Sequence, residues 1–384
     1  MVVSTNSRSV VVLAAGGTGG HVFPARALAE ELMTRGLTVV LMTDQRGLKY
    51  FEGLDQVERF VIASGAYQSG LKGKILGILG LAKGYFQSHR ILSRFKPLAV
   101  VGFGGYPSAP PVFAAQHRCI PTVIHEQNAI LGLANALLAP RAKRISLSTQ
   151  DTTGLKPQWA QKCITTGNPV RHDIAALAKK PYPDMTEKLY LTIVGGSQGA
   201  KSFATIVPHS VVGLPEELRK RLFVYHQARP DDLDAVKAIY EGSGIETDIR
   251  PFFDNMAECI GKSHLLITRS GASTIAELGA AGRPAIFIPF PWNRDNQQFF
   301  NAEQVAKHGG GCVIEEKNLT ADGLRDKLAG LLENPALLET MARKASLLGI
   351  TDATKRLTCV ISGVIPGGVA GKFLCKGQSK AQQS

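Results

Sequence analysis

Two glycine-framed blocks hold the residues best suited to chemistry. Gly16-Gly17-Thr18-Gly19-Gly20-His21 follows the apolar run Val10–Ala15, and Gly195-Gly196-Ser197-Gln198-Gly199-Ala200 follows Leu189–Val194. Each reads as a buried strand, a tight glycine turn and a helix start. Such a turn exposes backbone N–H groups at the positive end of a helix, where phosphate is favoured. A third block, Arg269-Ser270-Gly271-Ala272-Ser273-Thr274-Ile275-Ala276-Glu277, repeats the pattern. Its small residues let a diphosphate approach, and Glu277 stands where a carboxylate could accept two ribose hydroxyls. The plainer reading makes Ser270 or Ser273 a helix cap and Glu277 an ordinary surface acid.

His21 is the candidate general base. An imidazole with an ordinary pKa of about 6.5 accepts a hydroxyl proton near neutral pH; a lone histidine otherwise serves as a structural or surface residue. Asp295-Asn296-Gln297-Gln298 offers carboxamides that both donate to and accept from sugar hydroxyls; alternatively Asp295 caps a helix. Asp232-Leu233-Asp234, the one D-x-D in the chain, follows Arg229-Pro230 and opens a helix. It reads as capping, so no metal site is expected. The dinucleotide template G-x-G-x-x-G fails twice, with Val22 and Pro107 where the third glycine belongs. Asp44 ends the second strand, where a ribose-binding acid would sit, without the rest of that pattern.

The elements that position these groups alternate. Strands are expected at Val10–Ala15, Thr38–Thr43, Leu98–Gly102 and Thr122–His125, with a helix over His21–Arg35. The second half repeats this with strands at Leu189–Val194, Leu222–Tyr225, Leu265–Thr268 and Ala285–Ile288, and helices from about Ser273, Gln297 and Thr320. Alternation of this kind implies α/β domains with parallel sheets. At 384 residues the chain divides most naturally in two. The expected division is a domain over 1–167, a second over 168–350, a helix over about 351–362 packing back on the first domain, and a disordered tail over 363–384.

Net charge is +13, and most of it is local. Between Glu58 and Asp151 eleven Lys and Arg face a single acid, Glu126. The segment Leu71–Lys96 mixes Ile75 and Leu79 with Lys72 and Lys83. It reads as a basic amphipathic element for an anionic membrane; the bland alternative is a helix with a solvated basic face. Aromatic residues do not interleave with the basic ones, so nucleic acid is not an expected partner. The six cysteines lack C-x-x-C and zinc-finger spacing and read as reduced thiols.

Taken in order, the motifs resemble the bacterial peptidoglycan glycosyltransferases that move N-acetylglucosamine from UDP-N-acetylglucosamine to lipid I, giving lipid II. The matching parts are Gly16 to Pro24, Gly102 to Ser108, His125-Glu126-Gln127-Asn128, Gly167 to Arg171, Gly195 to Ala200, Arg269 to Ala272 with Glu277, and Asp295 to Gln298 with Asn301-Ala302. The resemblance implies a GT-B fold, two Rossmann-like domains with parallel sheets facing across a cleft. It implies that Thr18, Gly19, Gly20 and Asn128 contact the donor sugar, and that Arg171 and Ser197 approach the diphosphate. Phe253 would hold uracil through its backbone. Ala272, Ser273, Thr274, Ile275, Ala276 and Glu277 would wrap phosphate and ribose, and Gln298 would reach the sugar. No cofactor or metal is implied. The expected partners are UDP-N-acetylglucosamine, lipid I, an anionic membrane surface and cell-wall synthesis proteins, with a peripheral place on the cytoplasmic face of the inner membrane.

Three rivals share features of the chain. A monogalactosyldiacylglycerol synthase would change the acceptor to diacylglycerol. A UDP-N-acetylglucosamine 2-epimerase would need further carboxylates and no membrane face. A non-catalytic nucleotide-sugar-binding subunit would not need His21.

Overall fold

A computed structural model of the chain describes residues 9–65, 70–196, 201–291 and 296–365. The chain divides into two compact units. The first runs to Val170 and takes up the chain again from Asp352; the second is Arg171–Thr351.

The first unit is built on a seven-stranded sheet. Its strands are β1 (Val10–Ala14), β2 (Thr38–Thr43), β3 (Glu58–Val61), β4 (Ala99–Gly102), β5 (Thr122–Glu126), β6 (Arg144–Leu147) and β7 (Cys163–Thr165). All pairs are parallel, in the order β3-β2-β1-β4-β5-β6-β7. The apolar run of β1 explains why both faces are covered. Val11 and Leu13 enter a core with Leu28 and Leu32 of helix α1 (Gly19–Thr34). Val10, Val12 and Ala14 point to the other side, toward a core that includes Leu92 of α2 (Gly70–Phe95), Val112 of α3 (Gly105–His117) and Leu138 of α4 (Leu133–Leu138). Side chains alternate across a strand, so a continuous apolar run marks a sheet buried on both faces. The helix Ala353–Ser362 packs against α1 through Leu357 and Ile361, spaced one turn apart.

The second unit repeats the plan in six parallel strands: β8 (Leu189–Val194), β9 (Leu222–Gln227), β10 (Glu246–Arg250), β11 (Leu265–Thr268), β12 (Ala285–Phe287) and β13 (Gly311–Val313). Their order is β10-β9-β8-β11-β12-β13. In both sheets the chain runs outward from the central strand, then crosses over to its other side. The connections leaving β1 and β4, and those leaving β8 and β11, therefore diverge. A crevice at the carboxyl ends of those strands is where α/β sheets bind ligands.

Local expectations change in places. Helix α1 begins at Gly19, inside the glycine block, two residues earlier than read from sequence. Strands β3, β6, β7, β10 and β13 were not expected. Asp232 is the N-cap residue of the helix Leu233–Tyr240, but its side chain makes no capping bond; its carboxylate accepts from Arg229 Nε at 2.6 Å. Ser270 and Ser273 do not cap the Ala272–Ala281 helix, whose N-cap is Gly271. Asp295 and the 366–384 part of the tail lie outside the described residues.

Candidate functional site

In the first unit, the turn after β1 is braced by Asp44. Its Oδ1 accepts from the N–H of Gly17 at 2.8 Å and of Gly47 at 2.9 Å, and Oδ2 accepts from Arg46 Nε at 2.9 Å. A side chain on Gly16 would put its Cβ 2.7 Å from Asp44 Oδ1, and Gly17 sits at φ +83°. Both glycines are thus required by the brace and the turn. Asp44 spends its carboxylate on this work, which removes the ribose role that a dinucleotide site would give it.

Thr18 is the exposed N-cap of α1, and its side chain makes no capping bond. The first helical turn carries no acid. Gly19 and Gly20 therefore present backbone at a helix N-terminus whose field favours oxygen ligands. His21 is half-buried one step further, with Nδ1 3.2 Å from Gln127 Oε1. Two glycines in the left-handed region, Gly104 at φ +74° and Gly105 at φ +71°, pack beside its ring before α3.

Glu126, the single acid in the basic stretch, is buried and has four donors. Oε1 accepts from the backbone N–H and the Nδ2 of Asn128 at 3.0 and 3.1 Å; Oε2 accepts from Gly132 N–H at 2.9 Å and Asn135 Nδ2 at 2.8 Å. This carboxylate shapes the loop after β5 and sets Asn128 in place. Beneath it, His125 is fully buried, with Nδ1 3.0 Å from Ser146 Oγ and Nε2 3.1 Å from Asn168 Oδ1. Burial pushes its pKa down to about 4, so it is a neutral structural link between β5, β6 and Asn168 in the segment after β7.

In the second unit, β8 runs into Gly195 and Gly196, the latter at φ +80°. Ser197 lies outside the described residues. After β11, Gly271 opens the Ala272–Ala281 helix with no side-chain cap and no acid in its first turn. Ser273, Thr274, Ile275, Ala276 and Glu277 are all half-buried along that helix, and Ala272 is buried. Glu277 meets Arg171, whose Nε lies 3.2 Å from Oε1. Burial raises the pKa of Glu277, while the neighbouring guanidinium opposes the shift. Glu277 is thus no ordinary surface acid.

Around the same turn, Ser270 Oγ donates to the Gln298 carbonyl at 2.7 Å, and Asn301 Nδ2 donates to the Ser270 carbonyl at 3.1 Å. The Gln298 side chain accepts from Phe290 N–H at 3.0 Å. Arg269 is buried and donates to the carbonyls of Ile288 and Pro289 at 2.9 and 3.1 Å. These bonds tie the end of β11 to the segment that carries Gln298. Phe253 buries its ring against Tyr225 at a centroid distance of 6.0 Å. Its backbone N–H and C=O make no hydrogen bond among the described residues.

On α2, Ile75, Leu76, Ile78, Leu79 and Phe86 are exposed, as are Lys83 and Arg90. The Lys72 side chain lies outside the described residues. Among the described residues no helix is long and apolar enough to cross a membrane.

The structure thus brings His21, the Gly16–Gly20 turn and the Asn128 loop to the ends of β1 and β5 in one unit. It brings Arg171, the Ala272–Glu277 helix start and Gln298 together in the other. Sequence reasoning missed the roles of Asp44, Glu126, Gln127 and Arg269. The His125–Asn128 block is visible in the sequence, but nothing in its spacing distinguishes a loop-building carboxylate from a free one.

Residues 11–147 match the glycosyltransferase family 28 N-terminal domain, and residues 190–357 match the glycosyltransferase family 28 C-terminal domain. A UDP-N-acetylglucosamine--N-acetylmuramyl-(pentapeptide) pyrophosphoryl-undecaprenol N-acetylglucosamine transferase of Rhodospirillum centenum is 45% identical over 359 residues, covering 93% of this chain and 95% of the relative. The transferase of the same name from Zymomonas mobilis is 40% identical, covering 94% and 93%. The crystal structure of Acinetobacter baumannii MurG aligns with a TM-score of 0.75 at 28% identity, over 93% of this chain and 99% of that one. A UDP-GlcNAc 2-epimerase from Neisseria meningitidis, at 16% identity and a TM-score of 0.61, shares the fold alone.

Proposed function

From the premise that the chain belongs to glycosyltransferase family 28, we propose that it moves N-acetylglucosamine from UDP-N-acetylglucosamine to the 4-hydroxyl of the muramoyl sugar of undecaprenyl-diphospho-muramoyl-pentapeptide. The product is the disaccharide lipid, with inversion at the anomeric carbon. The observation that carries this reading is kinship along 93% of the chain with transferases named for that reaction.

The second unit takes the donor. Anchored by its buried ring, Phe253 offers one N–H and one C=O to the edge of a base. Uracil presents an imide N–H beside a carbonyl and complements that pair. Glu277 accepts the ribose hydroxyls. The N-terminus of the Ala272–Ala281 helix, Ser197 and Arg171 meet the diphosphate and stabilise charge as UDP departs. Gln298, in the first unit Asn128, and the Thr18-Gly19-Gly20 turn are assigned to the transferred sugar.

His21 takes the proton. The acceptor oxygen bonds to the anomeric carbon, the bond from that carbon to the phosphate oxygen breaks, and UDP leaves with its electrons. The acceptor hydroxyl proton passes to the imidazole.

The exposed apolar residues of α2, with Lys83 and Arg90, dock the chain peripherally on the anionic membrane that carries the acceptor. In this reading the membrane face is the cytoplasmic one, and other cell-wall enzymes are its neighbours there.

The test is mass spectrometry of the products from UDP-N-acetylglucosamine and a short-chain lipid I analogue. The reading expects one added N-acetylhexosamine, and none on an analogue lacking the 4-hydroxyl. Loss of donor with no change in the analogue would overturn it in favour of an epimerase or another acceptor.

A further inference from the structure

An imidazole has two nitrogens, and at His21 the protein decides which of them holds the proton. Nδ1 lies 3.2 Å from Oε1 of Gln127. Gln127 is only 3% exposed, and its Nε2 donates to the Phe103 carbonyl at 2.9 Å. A carbonyl oxygen only accepts, so the amino end of the amide faces Phe103 and the oxygen end faces His21. That amide oxygen also only accepts, so Nδ1 of His21 must carry hydrogen. In the neutral ring the lone pair then resides on Nε2. The backbone of Gln127 is itself fixed, because Ser148 Oγ donates to its carbonyl at 2.6 Å.

The other nitrogen is left with room. Nε2 has no hydrogen-bond partner among the described residues. A Cβ on Gly105 would stand 3.4 Å from Nε2 and 3.3 Å from Cδ2, and a Cβ on Gly104 would stand 3.6 Å from Nδ1 and 3.2 Å from Asn135 Nδ2. Both glycines hold positive φ, so a side chain there would carry backbone strain as well as crowding the ring.

We propose that Gln127 is a positioning residue for His21: its amide holds the proton on Nδ1 and so makes Nε2 the nitrogen that receives the proton of the acceptor hydroxyl. The second half of this statement rests on the reading of His21 as the base. When Nε2 takes the proton, the Nδ1–H bond to Gln127 remains and becomes a bond from a charged donor, which is stronger. The amide thus supports the cation as it forms. A carboxylate in its place would favour the cation before the reaction began, and would present like polarity to the Phe103 carbonyl.

The experiment uses the full chain with 15N-labelled histidine and long-range proton–nitrogen correlation spectra at alkaline pH. The His21 signals are assigned by their loss in His21→Ala. Wild type should show a protonated Nδ1 and an unprotonated Nε2. In Gln127→Met, which removes both polar contacts at similar volume, a population with protonated Nε2 should appear. In the same variant kcat should fall about 10- to 100-fold, the size seen when the orienting partner of a metal-bound histidine is removed, with KM for UDP-N-acetylglucosamine unchanged. Gln127→Glu provides a second variant of the same shape; it should move the acid limb of the pH–rate profile to higher pH. Wild-type His21 with its proton on Nε2, or a tautomer unchanged in Gln127→Met, would overturn the proposal. A tautomer that responds as expected, beside a fully active His21→Ala, would uphold the hold of Gln127 on the ring and remove the base role from His21.

Discussion

Arg171 Nε lies 3.2 Å from Glu277 Oε1, so the first residue of the second unit is ion-paired to the helix that begins at Ala272. Each partner is assigned a different part of the donor, the diphosphate for Arg171 and the ribose for Glu277. On that assignment, donor binding would set ligand contacts beside or in place of this ion pair.

Glu277→Gln tests that assignment. A hydrogen bond to a charged group contributes about 1.5–3 kcal/mol, so UDP should bind roughly 10- to 100-fold more weakly. The Arg171 side chain is 36% exposed, and loss of such a pair should cost the fold under about 1 kcal/mol. Calorimetry with UDP and with its 2′,3′-dideoxy analogue checks both points. The deficit should vanish for the analogue; a deficit of equal size for both would place Glu277 on the phosphates instead.

Asp44→Ala should destabilise the first unit by about 2–3 kcal/mol, because the buried N–H of Gly47 and the half-buried N–H of Gly17 lose their acceptor. The urea midpoint should fall accordingly, and activity should fall with the distorted turn. A variant of unchanged stability would mean the turn holds its shape without the brace.

Ile75→Glu with Leu79→Glu should abolish binding to vesicles containing anionic phospholipid while leaving the thermal midpoint within experimental scatter, since both side chains are exposed. Lys83→Glu should weaken binding in a salt-dependent way. Cosedimentation at two ionic strengths measures both, and binding that survives the double substitution would remove α2 from the membrane face.

Two buried histidines predict an acid-sensitive fold. Desolvation lowers His125 and His226 to about 4. Below an unfolded value of about 6.5 the unfolded chain takes up protons that the native chain refuses, so stability rises with pH between about 4 and 6.5 and is lost as pH falls through that window. The two sites together should cost several kcal/mol by the bottom of it, at about 1.4 kcal/mol per unit for each. Urea unfolding at pH 7.5 and 5 should show a lower midpoint at pH 5, and His226→Gln should flatten part of the slope. A midpoint independent of pH would contradict the neutral, buried state of both rings.

The interior of the fold was legible because central parallel strands are buried on both faces and read as apolar runs: β1, β2, β8 and β11 begin and end within a residue of expectation. Four of the unexpected strands, β3, β7, β10 and β13, are the outermost in their sheets. An edge strand is short and wetter; Glu246-Thr247-Asp248-Ile249-Arg250 has no buried residue and no apolar run to announce it. The site was legible where it depends on backbone, since glycine turns and helix starts have a local signature. It was illegible where one side chain serves another far away in sequence. Glu126 looked like the odd acid in a basic field, and only its four donors show it building the Asn128 loop. Gln127 and His21 are 106 positions apart, and no pattern along the chain tells which end of an amide faces a ring.

The most direct test of the central claim is UDP release from UDP-N-acetylglucosamine, with and without a short-chain lipid I analogue, in wild type and His21→Ala. Base-assisted transfer predicts release that depends on the analogue in wild type. It predicts a loss of about 100-fold or more in the variant with UDP affinity intact. Release that ignores the analogue, or a variant as fast as wild type, would contradict it.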